Sequence, residues 1–375
     1  MIDDAEYRAW AYLARVAEPP SGPLAALVAE LGAVDAAAAV RRRRVPAGFG
    51  EVLKATAARA DTDSSAQDIE IAHRIGARLL TPDDDEWPAL ALYGLDHATE
   101  RGGAPLALWV RGPGRLDDVA AHSIALVGAR AASTYGAHVT EMLADRLVGK
   151  GWAIVSGAAY GIDAAAHRSA LAADGTTMAV LACGIDRDYP AGNARLLDEI
   201  AARGLIVSEY PPGTTAARHR FLTRNRLVAA LSSAVIVVEA GVRSGAASTA
   251  AWARKLDRPL GAVPGPVTSA TSVGCHRLIS DDLAVLVADA DAASALASPD
   301  GGGDPGRGPD RPTDALTVRQ RRVHDAIPGS GAVTIDEIAY AAGLTVAEVR
   351  PALAVMELGG LVSGDGGTWR LCRSA

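Results

Sequence analysis

The chain has 375 residues, is 49% hydrophobic but only 4% aromatic, and carries a net charge of −7. Three isolated cysteines, Cys183, Cys275 and Cys372, form no CxxC pair, which argues against a zinc knuckle or a disulfide framework. No uninterrupted apolar stretch reaches ~18 residues and the first residues are acidic, so a membrane span and a secretory leader are not expected. The expected setting is a reducing cytoplasm, with no metal and no cofactor. The length supports two or three domains, and an acidic chain that binds a polyanion needs a local basic patch.

Residues 1–75 read as a helical module. Tyr7, Trp10, Leu13 and Ala14 share one helical face, and Leu24, Leu27, Val28 and Leu31 share another. Pro19-Pro20-Ser21-Gly22-Pro23 separates them. The run Arg41–Arg44 fits a solvated loop better than a phosphate site, and Asp83-Asp84-Asp85-Glu86 lacks the alternation of a calcium loop. Leu106–Gly112 reads as a strand entering the main domain.

From Ser123 the pattern changes. Ile124–Val127, Ala153–Ser156, Met178–Ala182, Leu205–Ser208, Val235–Glu239, Leu260–Val263 and Ala284–Val287 are short apolar runs separated by helical stretches. That alternation predicts an α/β fold, a doubly wound and mostly parallel sheet over 76–292 with its entry segment. Ligands of such sheets sit beyond the carboxyl ends of the strands. Gly128-Ala129-Arg130, Ser156-Gly157, Gly184-Ile185-Asp186, Glu209-Tyr210, Glu239-Ala240-Gly241 and Pro264-Gly265-Pro266 all fall on that rim.

Residues 293–313 are rich in Gly, Pro, Asp and Ser and read as a flexible linker. Residues 314–375 follow the plan helix, turn, helix, hairpin, a winged helix. Thr334 with Glu337 and Thr345 with Glu348 form capping boxes. The helix Thr345–Leu358 carries Arg350 against Glu348 and Glu357, a poor charge balance for reading duplex DNA.

Two stretches carry candidate chemistry. Arg218-His219-Arg220-Phe221-Leu222-Thr223-Arg224-Asn225-Arg226 has four arginines, no acid and one of the chain's two phenylalanines. Arginines at a helix start oppose the helix dipole, whereas guanidinium groups match phosphate oxygens and an aromatic ring can stack a base. The competing reading buries Phe221 and pairs the arginines with local acids. The second stretch, Arg243-Ser244-Gly245, opens another helix on the same rim and, with Arg130, would form an anion nest. Asp163 and His167, four residues apart, fit a structural hydrogen bond better than a catalytic dyad. No nucleophile elbow or HExxH motif occurs.

These residues resemble the DNA-processing protein A family (DprA, also called Smf). The resemblance runs through Val127-Gly128-Ala129-Arg130, Ser156-Gly157 with Ala159, Gly161-Ile162-Asp163 and Ala166-His167, and Gly184-Ile185-Asp186 with Tyr189-Pro190 and Asn193. It continues through Ser208-Glu209-Tyr210-Pro211, Phe221 with Arg224-Asn225-Arg226, Ser244-Gly245 and Val263-Pro264-Gly265. One departure is Ala247, where a larger residue is common.

The resemblance implies an extended Rossmann-like domain flanked by a helical module of SAM or helix-hairpin-helix type and by the winged helix. It implies a non-enzymatic protein that binds single-stranded DNA, dimerises, and loads the RecA recombinase in natural transformation. Its implied DNA-binding residues are Arg130, Ser156, Gly157, Gly161, Asn193, Arg218, Phe221, Arg224, Asn225, Arg226, Ser244 and Gly245. The alternative is a nucleotide-processing hydrolase on a lysine-decarboxylase-like Rossmann fold. That group carries a Pro-Gly-Gly-x-Gly-Thr turn, which Glu239-Ala240-Gly241-Val242-Arg243-Ser244-Gly245 lacks.

Overall fold

All seven apolar runs become parallel neighbours in one nine-stranded sheet. Its strands are β1 (Ala77–Leu80), β2 (Leu108–Arg111), β3 (Ser123–Gly128), β4 (Ala153–Ser156), β5 (Thr177–Leu181), β6 (Leu205–Ser208), β7 (Ala234–Glu239), β8 (Leu260–Ala262) and β9 (Val285–Leu286). The spatial order is β1-β2-β6-β5-β4-β3-β7-β8-β9, with β1 and β2 antiparallel at one edge. The computed structural model describes residues 4–96, 103–241, 244–298, 313 and 315–372. Contacts divide the chain into two compact units, 1–303 and 304–375.

The order of the parallel strands explains where a ligand can sit. The chain steps outward from β3 through β4 and β5 to β6, then returns to place β7 on the other side of β3. Successive crossovers therefore leave β3 and β7 in opposite directions, and a crevice opens between them at their carboxyl ends. The β3–β7 register slips there: Val127 pairs with Val237, but Gly128 pairs with Glu239. Gly128 must be glycine, because a Cβ would come within 2.6 Å of Ile162.

Strands β3 to β8 are buried on both faces, as their near-continuous apolar runs require, whereas β9 at the sheet edge is exposed. The helices Thr134–Gly149 and Ile162–Ala172 pack against Ile124, Leu126 and Ile154. The helices Arg218–Ala230 and Gly245–Lys255 pack on the opposite face, against Ala125, Val127 and Val237.

Five helices, Asp4–Val16, Gly22–Leu31, Ala33–Arg41, Gly50–Ala55 and Ser65–Arg74, precede β1. They share one core with the sheet edge, where Tyr12, Leu13, Leu24 and Leu27 join Leu79, Trp109, Leu181 and Ile206. The Leu79 N–H donates to the Tyr7 hydroxyl at 3.0 Å. Each fully buried leucine of this seam contributes roughly 1.5–3 kcal/mol.

Residues 293–297, assigned to the linker by composition, instead complete the helix Ala290–Ala297. Asp289 caps it by accepting from the Ala292 N–H at 2.8 Å. Residues 299–312 of the expected linker lie outside the described residues.

The second unit packs the helices Val318–Asp325, Ile335–Ala342 and Val346–Leu358 around Val323, Ile338, Val349, Leu353 and Met356. Its sheet has the order β10 (Val333–Thr334), β12 (Thr368–Leu371), β11 (Val362–Asp365). Both expected capping boxes form. Gly343, at φ +63°, supplies the left-handed residue that ends the Ile335–Ala342 helix.

Candidate single-strand interface

An open cleft of about 720 Å³ occupies the crevice between β3 and β7. Four segments line it: Gly128-Ala129-Arg130 after β3, Gly157, Ala159 and Asp163 after β4, Ala217 to Val228 from the Arg218–Ala230 helix, and Ser244 to Thr249 from the Gly245–Lys255 helix. Tyr189 lines its mouth. Two helix N-termini thus face one space, and their free backbone N–H groups favour an anion. Asn225 Nδ2 donates to the Gly245 carbonyl at 3.3 Å and ties the two helices together. Arg243 lies outside the described residues.

The arginines divide into two classes. Arg130 and Arg218 are exposed on the cleft and make no ion pair or hydrogen bond among the described residues. Arg130 lies over the half-buried Phe221 ring, its guanidinium carbon 5.1 Å from the centroid. The remaining three arginines of the 218–226 stretch are committed inward.

Arg220 binds Glu18 of the first helical region through Nε at 2.6 Å and Nη2 at 3.0 Å. Arg226 is fully buried and pairs with Glu209 at 2.7 Å. Its expected contact with DNA is therefore corrected: a guanidinium with no exposure cannot reach a ligand in the cleft.

Arg224 stands between the classes. It is 5% exposed, touches the cleft floor, and donates through Nη1 to the Val180 carbonyl, while Nε has no partner. Burial raises the Asp163 carboxyl pKa, and the positive charge of Arg224 works against that rise. Arginine remains charged at any working pH, so Arg224 holds positive charge beneath the cleft.

Gly157 roofs this guanidinium, and a Cβ there would collide with it. Glycine at this position thus lets the backbone close over a buried charge.

Ser156, Gly161 and Asn193 stand behind the cleft wall. Ser156 is buried and its hydroxyl donates to the Leu126 carbonyl at 2.7 Å. Gly161, at φ +78°, docks the β4 turn against the end of β3, where the Ile162 N–H reaches the Ala129 carbonyl at 3.1 Å. Asn193 Nδ2 donates to the Ala158 carbonyl at 3.0 Å, holding Ala158 at φ +56°. These three shape the wall rather than line it.

The residues best suited to proton transfer are tied up. His167 is fully buried and its Nδ1 pairs with the Thr177 hydroxyl at 2.7 Å, so the expected bond to Asp163 is replaced. Burial lowers its pKa to about 3. Glu239, at the carboxyl end of β7, accepts from the Ser133 N–H at 2.9 Å, the Ser133 hydroxyl and the Thr271 hydroxyl at 2.9 Å.

The family model for DNA recombination-mediator protein A matches residues 78–297, a span that holds the whole sheet but the first residue of β1 and every cleft residue. The chain belongs to the DprA family. A model of the DprA winged helix domain matches 307–368. A putative DNA processing protein DprA of Mycobacterium tuberculosis H37Rv is 52% identical over 380 residues, covering 100% of this chain and 96% of that protein.

Among solved DprA structures, that from Streptococcus pneumoniae superposes with a TM-score of 0.63 at 28% identity, over 79% of this chain and 98% of that one. DNA processing protein A from Helicobacter pylori, solved for its single-stranded DNA binding mode, gives a TM-score of 0.50 at 32% identity, over 57% and 92%. Membership confirms the resemblance and the Rossmann-like and winged-helix folds. It places the chain among DNA-processing proteins of recombination.

Proposed function

We propose that the cleft between β3 and β7 captures single-stranded DNA without altering it chemically. One observation carries the reading: Arg130 and Arg218, exposed and without an ion pair or hydrogen bond among the described residues, line one cleft with Phe221 and two helix N-termini. Free guanidinium groups match the phosphates of a strand, and an aromatic ring in the same cleft offers a platform for an unpaired base. The Helicobacter pylori relative, known for its single-stranded DNA binding mode, supports the same use of this fold. Among the described residues, the commitment of Glu239 and the burial of His167 weigh against a hydrolase at this rim.

In the cell the captured strand would be protected as a homodimer and handed to RecA recombinase during transformation. Family membership supports these two partners, which stand as part of the proposal.

The test is fluorescence anisotropy of a labelled oligonucleotide, single-stranded against duplex, across a salt series. The expected result is single-strand preference with affinity falling as salt rises. Arg130→Ala and Arg218→Ala should each flatten the slope by about 0.7, one phosphate contact apiece. Equal binding of duplex and single strand, or an unchanged slope in both variants, would sink the assignment, and nucleotide hydrolysis would then be screened.

A further inference from the structure

Phe221 has a neighbour that its sequence position does not reveal. The Tyr189 ring lies with its centroid 5.4 Å from that of Phe221, tilted by 48°. Tyr189 is 45% exposed and lines the cleft mouth, and its hydroxyl has no protein partner among the described residues. Leu222, 51% exposed, continues the same apolar rim. A large ring without a polar anchor, left open beside unpaired guanidinium groups, suits a ligand that is both flat and anionic.

The loop that carries Tyr189 is held at several points. Asp186 accepts from the Gly213 N–H at 2.8 Å, and the Gly184 N–H donates to the Thr214 carbonyl at 2.8 Å. Asn193, just beyond, is bonded to the β4 turn through the Ala158 carbonyl. The ring is therefore presented from a fixed backbone, which lowers the ordering cost of binding. Its separation from Phe221 falls within the ~4.5–7 Å of directly touching aromatic pairs, so no base fits between the two rings. Each ring must offer its own surface.

We infer that Tyr189 is a second base-binding subsite, so that the cleft seats two consecutive nucleobases, one on Phe221 and the next on Tyr189. The inference rests on the single-strand reading above and extends it to a site size. Because the rings are tilted, the two bases are splayed rather than stacked on each other. A duplex, whose bases are paired and stacked, cannot meet that geometry without opening.

The experiment compares wild type, Phe221→Leu, Tyr189→Leu and Tyr189→Trp on an oligothymidylate and on a base-free strand of the same length. Leucine keeps apolar bulk and removes the ring. Tyr189→Leu should weaken oligothymidylate binding roughly tenfold, in the range for loss of one base–aromatic stack. Tyr189→Trp should restore it, and the base-free strand should bind wild type and Tyr189→Leu alike.

A loss of equal size on the base-free strand would overturn the subsite in favour of loop positioning. Full affinity of Tyr189→Leu alongside a weakened Phe221→Leu would overturn the subsite and leave the single-strand reading standing. If wild type itself shows no preference for bases and Phe221→Leu is silent, the parent reading fails.

Discussion

Gly157 lies directly over the Arg224 guanidinium, so closely that no side chain can stand between them. The β4 turn and the Arg218–Ala230 helix are thereby interlocked through a glycine and a buried charge. Gly157→Ala should cost roughly 1–3 kcal/mol by overpacking. Arg224→Ala should cost more, because it leaves a cavity beside the Val180 carbonyl and removes the positive charge that offsets the burial of the Asp163 carboxyl. Urea denaturation reads both. Replacing Asp163 together with Arg224 should recover part of the loss, and strict additivity would contradict the coupling.

The buried pair Arg226–Glu209 makes a second stability prediction. Arg226→Ala leaves Glu209 alone in an apolar surround and should destabilise by about 3–5 kcal/mol. The double change Arg226→Met with Glu209→Leu should lie much closer to wild type. A salt titration of DNA binding by any folded Arg226 variant should keep the wild-type slope, since this guanidinium has no exposure.

Glu18 joins the N-terminal helices to the cleft helix and gives a pH dependence. Partial burial would raise its pKa, but hydrogen bonds from Arg220, Arg59 and His219 outweigh that and hold it at about 2. A depressed carboxylate stabilises the fold above its unfolded pKa and loses that contribution as pH falls toward the folded value. Wild type should therefore exceed Glu18→Gln by about 1–2 kcal/mol at pH 7, solvent screening included, and the gap should shrink between roughly pH 4.5 and 2. Chemical denaturation of both proteins at pH 7 and pH 3 checks it. A gap independent of pH would refute the linkage.

The cysteines give a chemical test of the core. Burial raises the Cys183 and Cys275 thiols to about 11, whereas Cys372 is exposed. A thiol reagent at pH 8 should modify Cys372 rapidly and the other two only after unfolding. Rapid native labelling of Cys183 would contradict the packing around β5.

The parallel sheet was legible because burial on both faces writes itself into the chain as short apolar runs. β1 was less so: Ala77-Arg78-Leu79-Leu80 includes an arginine, which pairs with Glu86 at 2.6 Å at the sheet edge. Residues 293–297 of the alanine-rich helix Ala290–Ala297 read as linker because its cap, Asp289, was lost among neighbouring turn residues. Within the site, sequence grouped Arg218, Arg220, Arg224 and Arg226 together. Their fates depend on Glu18, 202 residues from Arg220, and on Glu209, and no local pattern reports partners at such separations. Phe221 was marked by its rarity, whereas Tyr189 joined it only through the folding of a distant loop.

The division between free and committed arginines bears on how loss-of-function alleles would be read. A genetic screen scored only on DNA capture would return Arg130, Arg218, Arg224 and Arg226 as one group. Soluble yield would part them, because the first two reside on a surface and the last two hold helices in place.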